Sequence, residues 1–308
     1  VAMNHMDLWV RRGLPNVKHT YPHRLGCDIV GEVDALGPGA RGAQAGSRVM
    51  VQPGVCCGVC AACVAGRDNL CKSYKILGEN TQGGYAEYIN VPDSNLLPLP
   101  DQLGFTQAAA LPLCTLTAWQ AVYRKAHVGP EHTVLIQAAG SGVGSIAIQL
   151  CKLVGARVLT TVGSADKIEH ARALGADEVI LYREDDLAAA CKKLTGGRGV
   201  DVVLDHVGGE VFEKSLRAAS WGGRIVTVGA TAGHTPKIDL RHVFFRQLEI
   251  LGSTMGSKGD LAAAVPLIAE GKINPVVGLV LPLWDARAGH EALEARRVFG
   301  KVVFEVPA

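Results

Sequence analysis

Five of the nine cysteines fall between Cys56 and Cys71, and four of them keep the spacing Cys57-x2-Cys60-x2-Cys63-x7-Cys71. Four thiolates this close in sequence can close a tetrahedron around zinc and leave no open position. Such a site adds folding energy and does no chemistry. The alternative, four buried free thiols, leaves the regular spacing unexplained. Cys56 falls outside the pattern and is a bystander. Cys27, Cys114, Cys151 and Cys191 are scattered. Clustered cysteines with no visible secretory signal imply reduced thiols and a cytoplasmic protein.

A second stretch suits a different chemistry. Residues 134–154, VLIQAAGSGVGSIAIQLCKLV, run from an apolar strand pattern into small residues and then into a helix pattern. Strand, glycine-rich turn and helix are what dinucleotide binding needs. The backbone must approach the pyrophosphate closely, and the helix N-terminus offers unpaired N–H groups and a positive dipole end. The literal G-x-G-x-x-G fails, since after Gly140 and Gly142 the last glycine position is Ser145. A better register sets Ala138, Ser141 and Gly144 at the three key places. Plain α/β packing uses similar turns, so the turn alone does not decide between the two.

The elements that must position these groups follow from the pattern. At 308 residues with 48% hydrophobic content, the chain is long enough for two domains with their own cores. A net charge of +2 implies neither a nucleic-acid field nor an acidic one, and no apolar run reaches membrane-spanning length. Residues 1–55 look β-rich, with strands at 29–36 and 48–52, and residues 83–100 alternate like strands. A helix is predicted over 106–116, leading into another over 117–126. From 134 to about 255, strands at 134–136, 157–162, 178–181, 200–204, 223–229 and 248–251 alternate with helices at 143–154, 165–174, 185–195 and 209–219. That alternation is the mark of an α/β protein with a doubly wound parallel sheet. Helical segments at 261–270 and 286–296 and a last strand at 301–306 look more like the first lobe. The chain is therefore expected to return to its first domain, giving domains 1–116, 117–255 and 256–308. His19 and His23 are four apart, but Pro22 opposes a helix aligning them.

Together, the CxxCxxCx7C lobe, the GGYAEY segment, the LTAW helix start, the AAGSGVG turn and the closing GKVV strand resemble the medium-chain dehydrogenase/reductase superfamily of zinc-containing alcohol dehydrogenases and quinone oxidoreductases. The resemblance covers nearly the whole chain. It implies a Rossmann doubly wound sheet inserted in a GroES-like β-rich catalytic domain built from both chain ends. It also implies some tens of further residues ahead of Val1, a homodimer or homotetramer, and a small-molecule substrate with no nucleic-acid or membrane partner. The family's catalytic zinc ligands do not transfer intact. Asn4 stands where zinc-dependent members have Cys, and Gly26-Cys27-Asp28 where they have Gly-His-Glu. The third ligand falls at or beside Leu113, with Cys114 one place off. Asn4 followed by Asp7 resembles the zinc-free quinone reductase branch and makes these two the candidate catalytic residues. Asn4 would bond a substrate oxygen or a ribose hydroxyl. Cys27, Asp28 and Cys114 remain open as a variant metal set, against two buried thiols near the cleft.

Cofactor contacts implied by the resemblance are His5, Thr117, Gly140, Ser141, Gly142, Val143, Gly144, Ser164, Lys167, Tyr182, Val207, Val228 and Gly229. The end of the second sheet strand favours NADP(H) over NAD(H). Val162 stands where NAD-specific members place Asp, while Gly163, Ser164 and Lys167 leave space and a cation for a 2′-phosphate. Asp166 fits a helix N-terminal carboxylate better than a ribose ligand. His206 lies beyond the fourth strand and is either a cofactor-side residue or part of a simple turn. Three readings stay open: an NADPH-dependent quinone or activated-enone reductase with one structural zinc, an alcohol or aldehyde dehydrogenase, and a non-catalytic cofactor binder.

Overall fold

The computed structural model describes residues 1–14 and 17–306. The chain divides into two compact units, one of residues 1–116 and 255–308 and the other of residues 117–254.

In the second unit six parallel strands form one sheet in the order 249–252, 219–227, 200–205, 133–136, 157–162, 178–181. The chain works outward from the central strand Thr133–Ile136 to one edge, then crosses back to build the other half. The strand order therefore reverses between Thr133–Ile136 and Val200–Asp205, the switch point at which doubly wound sheets bind ligands. Val134, Leu135 and Ile136 are fully buried because helices cover both faces of such a sheet. Each contributes about 1.5–3 kcal/mol of transfer free energy. One face packs Leu135, Leu159, Val203 and Ile225 against Phe212 and Leu216 of helix Gly209–Ala218.

The first unit is built from short strands. Ile29–Glu32 pairs antiparallel with Arg48–Val51, which pairs with Leu96–Pro98. Val277–Pro282 pairs parallel with Lys301–Glu305. Residues 1–3 tie these two sheets together. Ala2 bridges Asp28 on one side and Val303 on the other, Met3 N–H donates to Val302 O (2.8 Å), and Phe304 N–H donates to Val1 O (2.7 Å). Val1, Met3, Leu8, Val302 and Phe304 then form one core cluster.

Several local expectations are corrected. Residues 83–88 form no strand: the N–H groups of Gly83, Gly84 and Tyr85 go to the carbonyls of Arg24, Gly26 and Leu25 at a close crossing of two loops. Gly83 and Gly84 permit that crossing, since a Cβ at Gly83 would sit 2.3 Å from Leu25 O. The helix expected over 106–116 is split into Phe105–Ala108 and Pro112–Trp119, with Pro112 opening the second piece where its missing N–H costs nothing. Helix His5–Arg12, helix Leu240–Phe245 and strand Val277–Pro282 were not anticipated. No helix among the described residues is long and apolar enough to cross a membrane.

Candidate functional site

Three groups of side chains carry chemistry. The first is the cysteine lobe. Strands Gly54–Val55 and Lys75–Ile76 pair at its base, and the short helix Ala61–Val64 presents Cys63. The ligand sulfurs of Cys57, Cys60, Cys63 and Cys71 all lie within 4.8 Å of one another. A zinc–sulfur bond of about 2.3 Å requires tetrahedral edges of about 3.8 Å. The observed separations are 3.5 Å for Cys60–Cys63, 3.6 Å for Cys71–Cys57 and 3.9 Å for Cys57–Cys63. Hydrogen bonds from the N–H groups of Val59 and Cys60 favour the Cys57 thiolate. These four residues fit a structural zinc and would saturate it.

The second group lies at the junction described above, where residues 1–3 draw Asn4 beside Asp28 and the start of strand Lys301–Glu305. Lys301 is 5% exposed and Asp28 is fully buried, and they form an ion pair of 2.8 Å. Lys301 Nζ also donates to Asn4 Oδ1 (2.6 Å), and its charge opposes the rise of the Cys114 pKa. Asn4 Nδ2 donates to Asp28 Oδ2 (2.8 Å) and to Cys27 Sγ (3.3 Å). The second Asp28 oxygen accepts the N–H of Leu113 (2.6 Å) in the first turn of helix Pro112–Trp119, where the helix supplies no partner. Every residue matched above to a zinc-ligand position is therefore present, but the group they surround is an ammonium.

The electrostatics follow from burial. Burial alone would lower the Lys301 pKa, but the Asp28 carboxylate outweighs it and the pKa is raised. Burial and the Asp28 and Asp7 carboxylates push the Cys27 thiol well up, and burial pushes Cys114 up to about 11. Both sulfurs are thus neutral thiols at pH 7 beside a fixed cation. Zinc needs thiolates and is repelled by an ammonium, so a second metal does not fit this donor set.

The geometry also changes the parts given to Asn4 and Asp7. Lys301 has no acceptor lone pair, which fixes the Asn4 oxygen toward it and sends the amide hydrogens to Asp28 and Cys27. Asn4 has neither a free hydrogen nor the exposure to reach a substrate oxygen. Asp7, fully buried, accepts the N–H groups of Asn4 (2.8 Å) and Gly26 (2.9 Å) and the Tyr85 hydroxyl (3.4 Å). It fixes the backbone on both sides of the cluster. Burial raises its pKa to about 6, the two N–H donors and Lys301 opposing. Lys301 escaped notice in the sequence. Its signal was a lysine directly ahead of three apolar residues in the strand KVVFE, where a surface residue would be expected at the strand mouth.

The third group lies at the switch point of the second unit. Ser141 N-caps helix Gly142–Leu153, its Oγ accepting from Gly144 N (2.9 Å). Ala138 takes a positive φ of 51°, and a Cβ on Gly144 would sit 2.4 Å from Ala138 O. The turn admits no larger residue at position 144, as close approach to a pyrophosphate demands. Gly142 and Val143 open the helix, so their N–H groups have no intrahelical acceptor. Gly140 precedes Ser141 in the same turn. Val207, Val228 and Gly229 lie beyond strands Val200–Asp205 and Ala219–Thr227, and Val207 N–H is held by Asp205 Oδ1 (2.9 Å). Thr117 is buried with its Oγ1 unpaired by protein. Tyr182 packs on Gly163, where a Cβ would meet its hydroxyl at 2.9 Å. Ser164 hydrogen-bonds the Asp166 carboxylate and lowers its pKa, which ties that acid to the turn Ala165–Lys167. His5 is the first residue of helix His5–Arg12, which belongs to the first unit. The donor set of the second unit fits a nicotinamide dinucleotide, with the turn for its pyrophosphate and the end of strand Arg157–Val162 for its adenosine ribose.

Residues 1–101 match the alcohol dehydrogenase GroES-like domain, and residues 142–270 match the zinc-binding dehydrogenase family. The chain is 33% identical to an NAD-dependent alcohol dehydrogenase of Sulfolobus acidocaldarius, covering 98% of this chain and 89% of that one. It is 30% identical to quinone oxidoreductase 1 of Escherichia coli, covering 97% and 87%. A crystal structure of an NAD-dependent alcohol dehydrogenase is similar with a TM-score of 0.94 at 51% identity, covering 99% of this chain and 89% of that one.

Proposed function

The chain belongs to the medium-chain dehydrogenase/reductase superfamily, and within it we propose that this oxidoreductase reduces quinones or activated enones with NADPH, using one structural zinc and no catalytic metal. The observation that carries the reading is Lys301 at the centre of the matched zinc-ligand positions, bonded to Asp28 and Asn4. Oxidising a simple alcohol builds alkoxide charge as hydride leaves, and a metal stabilises that charge as a Lewis acid. The Lys301 ammonium does not replace it, because it is buried and already bound to Asn4 Oδ1 and Asp28 Oδ2. Hydride addition to an enone or quinone instead gives a delocalised enolate or phenolate, which ordinary hydrogen bonds hold. The nicotinamide supplies the hydride, and the protein's part is to bind, orient and exclude water.

NADPH is favoured by the absence of an acid at Val162, Gly163 and Ser164, by Asp166 being committed to Ser164, and by Lys167 in the same turn. The zinc would be held by Cys57, Cys60, Cys63 and Cys71 and would serve the fold. Similarity to two NAD-dependent alcohol dehydrogenases favours a second reading as an alcohol or aldehyde dehydrogenase using NAD(P).

The test combines metal counting with turnover. One zinc per chain, reduction of a quinone and enone panel with NADPH, and little oxidation of primary or secondary alcohols are expected. Two zinc ions per chain, or alcohol oxidation with NAD⁺ outpacing enone reduction, would establish the second reading. Lys167→Ala should raise the KM for NADPH by roughly tenfold and leave NADH nearly unchanged, as loss of one charge-assisted phosphate contact implies.

A further inference from the structure

His206 lies outside the glycine-rich turn, yet its Nε2 is 2.9 Å from Ser141 Oγ at the centre of that turn. We propose that His206 is a positioning residue for the cofactor pyrophosphate, its Nε2–H holding the Ser141 hydroxyl in place across the switch point of the sheet. The proposal rests on the reading of residues 138–144 as a dinucleotide turn.

Hydrogen accounting gives the direction of the bond. Three groups surround Ser141 Oγ at 2.9 Å: Ala138 O, Gly144 N and His206 Nε2. Gly144 N–H can only donate and Ala138 O can only accept. The single hydroxyl hydrogen therefore goes to Ala138 O, because an oxygen–oxygen contact of that length without a hydrogen is repulsive. Ser141 Oγ then receives Gly144 N–H on one lone pair, and the other is left for His206, which must be the donor. His206 is thus the tautomer with hydrogen on Nε2 and a bare Nδ1. Burial lowers the pKa of the imidazole, with Asp205 opposing, so it is neutral at pH 7.

His206 is itself held firmly. Asp205 accepts the N–H groups of Val207 (2.9 Å) and Gly208 (2.8 Å) on one oxygen and the Ser215 hydroxyl (2.9 Å) on the other. Ala232 N–H donates to Val207 O (2.8 Å), which anchors the following residue to the loop after strand Ala219–Thr227. The bond to Ser141 therefore joins the loops of strands Thr133–Ile136 and Val200–Asp205, which belong to opposite halves of the sheet. With its hydroxyl spent on Ala138, Ser141 does not donate to phosphate. It shapes the turn, leaving the first-turn N–H groups of Gly142 and Val143 for the anion. A turn already held in the bound shape loses less freedom when the cofactor arrives.

The test compares His206→Phe and His206→Gln with the unaltered protein in equilibrium titrations with NADPH and NADH. His206→Phe should weaken both cofactors by about five- to tenfold, the loss expected for one hydrogen bond, and equally because both carry the pyrophosphate. His206→Gln, which keeps an N–H donor, should recover most of the affinity. kcat at saturating cofactor should change far less than KM. Nitrogen NMR of the imidazoles in the unaltered protein should show His206 protonated on Nε2. A protonated Nδ1 with a bare Nε2, unchanged affinity in His206→Phe, or an effect on one cofactor alone would overturn the inference. An unaltered protein that binds neither dinucleotide would overturn the cofactor reading instead, whatever the tautomer.

Discussion

Lys301→Met tests whether the buried ammonium organises the first unit. The substitution keeps the length of the stem and removes the charge. It leaves Asp28, fully buried, with only Leu113 N–H (2.6 Å) and Asn4 Nδ2 (2.8 Å) as partners, and strips Asn4 Oδ1 of its donor. Breaking a buried pair from one side costs about 3–5 kcal/mol because the other charge stays behind uncompensated. The two surviving donors should hold the cost near the lower end, about 3 kcal/mol. Adding Asp28→Asn removes the stranded charge. The new amide keeps an oxygen for Leu113 N–H and offers a donor to the freed Asn4 oxygen, so the double variant should lie about 1–2 kcal/mol below the unaltered protein. Urea unfolding followed by circular dichroism and tryptophan fluorescence measures the unaltered protein, Lys301→Met, Asp28→Asn and the double variant. The double variant should be more stable than Lys301→Met, with a coupling of about 2 kcal/mol or more against additivity. If the two losses simply add, or Lys301→Met costs less than about 1 kcal/mol, the lysine does not neutralise Asp28 and the argument against a second metal loses its footing.

Two further outcomes follow from other parts of the molecule. Asp7 has its folded pKa raised from 3.8 to about 6, chiefly by burial, so the folded state binds its proton more tightly than the unfolded chain. Its contribution to stability is therefore greatest below about pH 4 and declines as pH rises through 6, by about 3 kcal/mol in all. Carbon NMR of the carboxyl should show a midpoint near 6, and a midpoint below 4 would refute the assignment. Separately, strand Glu249–Gly252 is a sheet edge with Ile250 exposed, and Leu240, Phe244 and Phe245 of the helix before it are exposed as well. An apolar sheet edge of this kind is able to pair with a second copy of the chain. Sedimentation should find a dimer or tetramer that Ile250→Lys weakens, and a monomer at micromolar concentration would count against the pairing.

What could be read in the sequence depended on how far apart the interacting residues lie. The clustering of Cys57, Cys60, Cys63 and Cys71 was legible because the four fall within one short segment and their spacing is itself the geometry. The central strands were legible because strands buried on both faces appear as continuous apolar runs, as in Thr133–Ile136 and Val200–Asp205, and Arg157–Val162 and the edge strand Glu178–Leu181 have the bounds their composition suggests. Helix His5–Arg12 was missed although its signals are local: Met6, Leu8 and Val10 are buried, and Asp7 in its first turn accepts the Asn4 N–H. Strand Val277–Pro282 was hidden by Gly278 and a closing proline. Gly278 is there because a Cβ would lie 2.2 Å from Phe299 O, a contact that no local pattern reveals.

The lysine cluster shows why the reading by ligand positions was incomplete. Position by position, Asn4, Cys27 and Leu113 register as lost zinc ligands, and a lost ligand set leaves Asp28 as an isolated buried carboxylate. A buried carboxylate needs a counter-charge, and the nearest in sequence, Arg24, is exposed and not paired with it. The cation had to come from elsewhere in the fold, and residues 1–3 bring it by pairing with both Asp28 and strand Lys301–Glu305. Asn4 then has a reason beyond the absence of Cys. Between an ammonium on one side and a carboxylate and a thiol on the other, the position needs an acceptor and a double donor on one rigid plane, which a carboxamide supplies and a thiol does not. Asn4→Cys alone would therefore not restore a zinc site. It would leave Lys301 with one acceptor fewer beside a new neutral thiol, so metal content should stay at one zinc per chain while stability falls.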